Sequence, residues 1–277
     1  MASEDRIAKR PQPFLTVRRL GKDFVERRWW GGKRGATPAL REVSFDLGKG
    51  RTLGLVGPSG SGKSTLARCL ALFEAPTCGE VCLDGRSLWS ATPPERRRLR
   101  ARIQLIFQEP AASLNPRFTA GQVVEEPLVI QRWGTAPARR ERACELMETV
   151  VLRRDAAGKP ALQFSGGERQ RLAIARALAL EPKLLILDES FSGLDLSIQA
   201  QVANLLLDLQ KGLGLTYILI SHDLSVVASL AGDIAVMEGG RIVEHAATAD
   251  LCARPQHART RELLEASLAL SLGGALS

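Results

Sequence analysis

The stretch that most constrains this chain is a junction: Thr52-Leu53-Gly54-Leu55-Val56 runs without a break into Gly57-Pro58-Ser59-Gly60-Ser61-Gly62-Lys63-Ser64-Thr65. The first part reads as a buried strand, and Ser64 to Phe73 reads as a helix. A strand, a glycine loop and a helix in that order form the first turn of a parallel α/β sheet that grips phosphate. Nucleotide phosphates are polyanions, and backbone N–H groups must come very close to hold them. Gly57, Gly60 and Gly62 carry no side chains to block the approach, and the following helix points its positive end at the same place. Lys63 supplies a cation for the terminal phosphates, and the Ser64 hydroxyl can ligate Mg²⁺.

Further along, Leu184 to Leu187 and Thr216 to Ile220 are short apolar runs of the kind found in central parallel strands covered on both faces. Ile198 to Gln210 is an amphipathic helix between them. Strands are also expected at Phe14–Arg18, Val43–Leu47, Glu80–Leu83 and Ile103–Phe107. A hairpin is expected around Glu238-Gly239-Gly240. From Val123 to Val150 the pattern is helical, and Glu168 to Leu180 is a strong helix stopped by Pro182.

Two adjacent acids, Asp188 and Glu189, follow the apolar run at Leu184. Unpaired carboxylates are costly to bury, so packing alone does not account for them. Asp188 suits the holding of Mg²⁺, and Glu189 suits the polarising of an attacking water. A guanine-reading Asn-Lys-x-Asp is absent: Asn115 is followed by Pro116 and Asn204 by Leu205. That favours ATP over GTP. Ser165-Gly166-Gly167 alone is an ordinary helix cap, and a lone His222 after a strand is more often structural than catalytic.

Taken together, the glycine loop, Gln108, Phe164-Ser165-Gly166-Gly167-Glu168-Arg169-Gln170, Leu184 to Glu189 and His222 resemble the ATP-binding-cassette ATPases over roughly residues 14–265. The resemblance implies a P-loop NTPase fold: a RecA-like core, an N-terminal antiparallel β layer and an inserted helical subdomain. It implies that Ser165, Gly166 and Gly167 bind ATP held by a second cassette in a head-to-tail dimer, and that Ser192-Gly193-Leu194-Asp195 crosses that interface. Gln108 would sense Mg²⁺ and water, and His222 would contact the terminal phosphate. Phe24 would stack on adenine, with Trp29 and Trp30 as competitors. Glu189, His222 and Gln108 are thus the expected catalytic set, and Ser64, Gln108 and Asp188 the metal set. Glu168 stands where the family usually has Gln, and Ser190 where Pro often follows the acid.

Phe107 to Arg117, Leu196 to Val202, Ser221 to Val227 and Pro255 to Leu264 resemble the peptide and nickel uptake ATPases of that family. This implies a paralogous or identical ATPase partner, two permeases and an extracytoplasmic binding protein. Peptides lead as cargo, with nickel or a metal chelate as the alternative. Other readings are a soluble cassette ATPase of DNA repair or translation and a module that holds ATP without hydrolysing it. Neither large coiled-coil insertions nor a second cassette is present to favour the former.

Composition sets outer limits. The chain has 277 residues and a formal net charge of +8. No apolar run reaches the roughly 18–20 residues that cross a bilayer, and Met1 to Arg10 lacks the apolar core of a signal peptide. A peripheral place on the cytoplasmic face of the membrane is therefore expected. Aromatics are 5% of the chain and are not interleaved with the basic residues, so no nucleic acid is expected. The run Arg96-Arg97-Arg98 with Arg100 and Arg102 reads as a solvated helix face. The five cysteines and three histidines show no metal-ligand spacing. The expected division is a loose tail over 1–13, a cassette over 14–250 with its helical lobe near 110–165, and a C-terminal tail over 251–277.

Overall fold

The computed structural model describes residues 13–25, 35–107 and 114–273, with side chains through Ser267. The tail before Pro13, Trp29, Trp30, Gln108 and the loop onward to Ser113 lie outside the described residues.

The strands, in chain order, are β1 (Leu15–Val25), β2 (Ala36–Leu47), β3 (Thr52–Val56), β4 (Cys78–Leu83) and β5 (Arg86–Ser87), then β6 (Ile103–Ile106), β7 (Leu184–Asp188), β8 (Thr216–Ser221), β9 (Asp233–Glu238) and β10 (Arg241–Ala247). They form two sheets. One is antiparallel, in the order β2-β1-β4-β5, and the other has six strands in the order β10-β9-β3-β8-β7-β6. In the second sheet only β10 runs antiparallel to its neighbour.

The helices are α1 (Lys63–Leu70), α2 (Pro93–Arg102), α3 (Ala120–Ile130), α4 (Ala136–Thr149), α5 (Gly166–Leu178), α6 (Leu196–Leu213), α7 (Leu224–Leu230), α8 (Thr248–Ala253) and α9 (Ala258–Gly273).

The continuous apolar runs of β3, β7 and β8 follow from burial on both faces. Leu184, Ile186, Ile218 and Ile220 point into one core with Leu66 and Leu70 of α1 and the inner residues of β1, β2 and β4. Leu185, Leu187, Tyr217 and Leu219 point the other way, into a second core with Leu172 of α5 and Leu206 of α6. Alternate side chains serve alternate layers, so every position must be apolar.

The stretch read as helical from 123 to 150 is two helices. Arg132 and Gly134 take left-handed backbone angles, Thr135 caps α4 and Pro137 sits in its first turn. Helix α5 ends at Leu178, and Glu181 turns left-handed just before Pro182.

The arginine run of α2 is solvated at Arg97, Arg98 and Arg100, as expected, but several of its guanidinium groups are also tied down. The helix starts at a capping box of Thr92 and Glu95. Arg96 donates to the carbonyls of Trp89 and Ala91, Arg97 to that of Ile130 at 3.0 Å, and Arg100 to that of Leu72 at 2.9 Å, while Arg102 pairs with Asp84. These long side chains tie three loops to one helix, because a guanidinium reaches carbonyls that no neighbouring backbone N–H can satisfy.

Candidate nucleotide site

Parallel pairing aligns the carboxyl ends of four strands. Val56 lies opposite Ser221, Asp188 opposite Ile220, and Ile106 opposite Leu187. The residue that follows each strand end therefore emerges on one edge of the sheet, where open α/β folds bind ligands. The edge carries Gly57 after β3, Glu189 after β7 and His222 after β8. Gln108 follows β6 by two positions but lies outside the described residues.

The glycine loop is held from behind. A Cβ on Gly57 would lie 2.2 Å from the Met237 carbonyl oxygen, and one on Gly62 would lie 2.6 Å from that of Ala39. Both glycines also have positive φ, so no other residue fits. Gly240 donates its N–H to the Ser61 carbonyl at 3.1 Å, and Arg41 donates its own to the Gly240 carbonyl at 2.8 Å. The β9–β10 turn and β2 thus press the loop into shape.

Within the loop, Lys63 Nζ donates to the carbonyls of Gly57 (2.7 Å) and Pro58 (2.9 Å). Burial holds its pKa below the ordinary lysine value, with Glu189 and Asp188 pulling the other way. Ser64 Oγ donates to Asp188 Oδ1 at 3.2 Å. Burial pushes the Asp188 carboxyl above its ordinary value, and the Ser64 hydrogen bond offsets part of that.

Glu189 is the residue the backbone singles out. Its φ is +50°, a left-handed conformation that a non-glycine residue adopts only where its surroundings impose it. Its N–H donates to the Ile220 carbonyl at 2.9 Å. Its carbonyl accepts from Ser192 twice, from the N–H at 3.1 Å and the hydroxyl at 2.8 Å. This twist aims the side chain at β8, where Glu189 Oε2 lies 2.7 Å from His222 Nδ1. The Glu189 side chain is 14% exposed and that of His222 61%, so the acid is sheltered and the histidine faces outward.

Ser165 and Asp195 cap helices. Ser165 Oγ accepts from the Glu168 N–H, and Glu168 Oε2 accepts from the Ser165 N–H at 2.8 Å. That backbone hydrogen bond holds the Glu168 carboxyl below its usual range. The charge that departs from the usual Gln is therefore turned onto its own helix terminus, where it is stabilised. Gly167 is buried, and a Cβ there would meet Ile198 Cγ2 at 2.5 Å, whereas Gly166 is exposed with Leu194 at an ordinary 3.5 Å. Asp195 accepts the Ile198 N–H at 2.9 Å, capping α6. Phe24 is half-exposed and pairs in register with Thr37, two residues before the Ala39 that borders Gly62, with Lys22 Nζ 5.0 Å from its ring centre.

Several partners escaped the sequence reading. Ser192 was read only as part of an interface loop, and Gly239-Gly240 only as a turn; neither their support of Glu189 nor that of the glycine loop leaves a local pattern. Among the described residues no group of three or more His, Cys, Asp or Glu gathers to hold a metal.

A model of the ABC transporter family matches residues 40–192. A Brucella ovis protein, whose name assigns it provisionally to peptide import as an ATP-binding protein, is 48% identical over 92% of this chain and 78% of its own length. The dipeptide transport ATP-binding protein DppF of Haemophilus influenzae is 44% identical over 95% of this chain and 80% of its own length. Among solved structures, the dimeric ATP-binding cassette MJ0796 bound to ADP and phosphate superposes with a TM-score of 0.73 at 29% identity, over 84% of this chain and 98% of that one. CbiO1 of Clostridium perfringens, part of the ABC transporter complex cbiONQ, gives 0.75 at 27% identity over 87% and 91%.

Proposed function

This chain belongs to the ABC transporter family, and from that premise we propose that it is the ATP-hydrolysing subunit of a peptide importer. It works on the cytoplasmic face of the membrane, in a head-to-tail dimer with a second cassette. The names of its relatives support peptides as cargo. Their length is matched over more than two thirds, so the reading extends to the whole chain.

The chemistry rests on the geometry at the end of β7 and β8. Gly57 to Thr65 cradles the phosphates of ATP, and Lys63 carries its charge to them. Ser64 and Asp188, hydrogen-bonded at 3.2 Å, offer the hard oxygen donors that Mg²⁺ prefers. When bound, that ion neutralises charge developing on the transferring phosphoryl group. Glu189 accepts a proton from the attacking water as its oxygen bonds to the terminal phosphorus and ADP leaves. His222, with Nδ1 2.7 Å from Glu189 Oε2, fixes the carboxylate in place and presents its other nitrogen outward. The family resemblance adds Gln108, two positions beyond β6 in sequence, to this set. Ser165, Gly166 and Gly167, with Asp195 nearby, face the ATP of the partner cassette, and Phe24 stacks on adenine.

The helical segments between 120 and 163 form the helical lobe. Between them and the core lies a cleft of about 260 Å³ lined by Phe73, Arg100, Gln104, Phe107 and Ile130. Phe73, Ile130 and nearby Trp133 are exposed apolar side chains, which supports this face as the seat of a permease. Among the described residues no helix is long and apolar enough to cross a membrane.

The single observation that carries the catalytic reading is the Glu189–His222 pair held by a left-handed backbone. Its test is Glu189→Gln, which should keep Mg-ATP binding and lose about 10²–10⁴-fold in turnover, the usual worth of a general base. Wild-type turnover in that variant would remove Glu189 from its role. For the cargo, deletion of the gene should abolish uptake of labelled dipeptides. Undiminished uptake of every peptide tried would overturn the assignment.

A further inference from the structure

The C-terminal stretch Pro255 to Leu264 has no part in the site described above, yet the structure ties it to that site at three points. Glu238 ends β9, immediately before the Gly239-Gly240 turn. Its Oε1 accepts from Arg259 Nε at 2.9 Å and from Nη2 at 2.7 Å. On the neighbouring strand, Glu244 accepts the N–H groups of Gln256 and His257, each at 2.9 Å, and the Thr260 hydroxyl. Thr260 is fully buried. Leu263 and Leu264 pack against a cluster that includes Val56, the last residue before the glycine loop, together with Leu224 and Val227 of the helix that follows His222.

The turn held in this way is the one that shapes the phosphate loop. Gly240 donates to the Ser61 carbonyl, and the Met237 carbonyl abuts Gly57. Arg259 therefore grips the strand end that leads into this turn. A two-donor guanidinium on a carboxylate is the directional, charge-assisted contact suited to fixing a strand end. We propose that Arg259 is a positioning residue for nucleotide binding: clasped to Glu238, it holds the β9–β10 turn against the glycine loop and so keeps the phosphate cradle in its binding shape. This rests on the reading of Gly57 to Thr65 as the ATP site. The chemical step, carried by Glu189 and His222, lies on other strands and is spared by loss of the clasp.

The test uses the purified full-length chain, with Mg-ATP affinity by titration of a fluorescent ATP analogue and steady-state hydrolysis to separate KM from kcat. Arg259→Gln and Glu238→Gln should each weaken binding and raise KM by about threefold to tenfold, the scale of couplings carried through a contact chain, with kcat within about twofold of wild type. The double variant should bind no more weakly than Arg259→Gln, because both substitutions break the Glu238 contact and only Arg259→Gln also releases Glu262, the second carboxylate with which Arg259 pairs. Arg259→Lys, which keeps one charged contact, should recover part of the affinity. Met147→Ala, in the distant core of the helical segments, serves as a destabilising control that should lower Tm without moving Kd. Unchanged Kd in both clasp variants, a loss confined to kcat, or an equal rise in Kd for Met147→Ala would each overturn the proposal. If Arg259→Gln does not fold, Glu238→Gln and Arg259→Lys decide the question. Failure of the wild-type chain to bind Mg-ATP, or equal binding by Lys63→Ala, would instead remove the underlying site.

Discussion

Gly167 offers a sharp test of how the Ser165-Gly166-Gly167 segment is built. Two adjacent glycines at a helix start suggest that both are small for a ligand's sake, but their surroundings differ. A methyl group on Gly167 would sit 2.5 Å from Ile198 Cγ2, against the 3.4 Å at which ordinary contact begins, so Ile198 or the helix must withdraw by about 1 Å. Overpacking of this kind costs about 1–3 kcal/mol. Replacing a helical glycine returns about 0.5–1 kcal/mol, leaving a net loss centred on about 1 kcal/mol and at most about 2.5 kcal/mol. For a chain of this size each kcal/mol moves Tm by about 2–4 °C, so Gly167→Ala should unfold about 2–4 °C lower, and at most about 10 °C lower, by circular dichroism. Ile198→Ala removes Cγ2 and with it the clash. In the double variant the cost of Gly167→Ala should shrink by about 0.5 kcal/mol or more. Gly166→Ala, whose methyl would meet Leu194 at 3.5 Å, should leave Tm within about 2 °C of wild type. A stable Gly167→Ala protein, or strict additivity with Ile198→Ala, would refute the view that Gly167 is small because α6 leans on it.

Asp188→Asn should abolish hydrolysis yet unfold no lower than wild type, because burial already disfavours the charged carboxyl; a Tm fall of many degrees would show that the acid supports the fold. Glu244 tests the tail by pH. Burial pushes its carboxyl up, but the hydrogen bonds from Gln256, Thr260 and His257 outweigh this and leave it below its ordinary value. Its stabilisation is therefore complete above the unfolded carboxyl pKa, near 4.3, and is lost as pH falls through the lower folded value. Glu244→Gln should flatten the acid limb of a Tm–pH profile in that window, and an unchanged limb would exclude the residue as its source. Cys69 is fully buried on α1, and desolvation pushes its thiol up to about 11. Iodoacetamide at pH 8 should label exposed Cys78 and Cys252 and leave Cys69 untouched until unfolding, as mass spectrometry of the digested protein would reveal.

The parallel core was legible in the chain because it rests on local chemistry, and its antiparallel companion layer followed from the family resemblance that the motifs carry. An apolar run feeding a glycine loop must be a strand before a helix, and unbroken apolar runs must be central strands. Where a local signal stops short, the fold supplies the rest. Charge predicts the exposure of Arg97, Arg98 and Arg100 on α2, and only the fold brings the carbonyls of Leu72 and Ile130 within reach of that helix. The helical pattern over 123–150 resolves into two helices about Gly134, where the glycine, threonine and proline carry a stop-and-start signal.

The sequence alone determined which residue types stand ready: glycines for close approach, Lys63 for charge, Ser64 and Asp188 as oxygen donors, Glu189 and His222 for proton handling. It held no account of the forces that place them. The left-handed turn at Glu189 depends on Ile220 and Ser192, and the shape of the phosphate loop depends on Ala39, Met237 and Gly240, which come from both ends of the chain. Such contacts join residues far apart in sequence through backbone groups that every residue shares. They therefore leave no mark in the pattern of side chains and exist only once the sheets have paired.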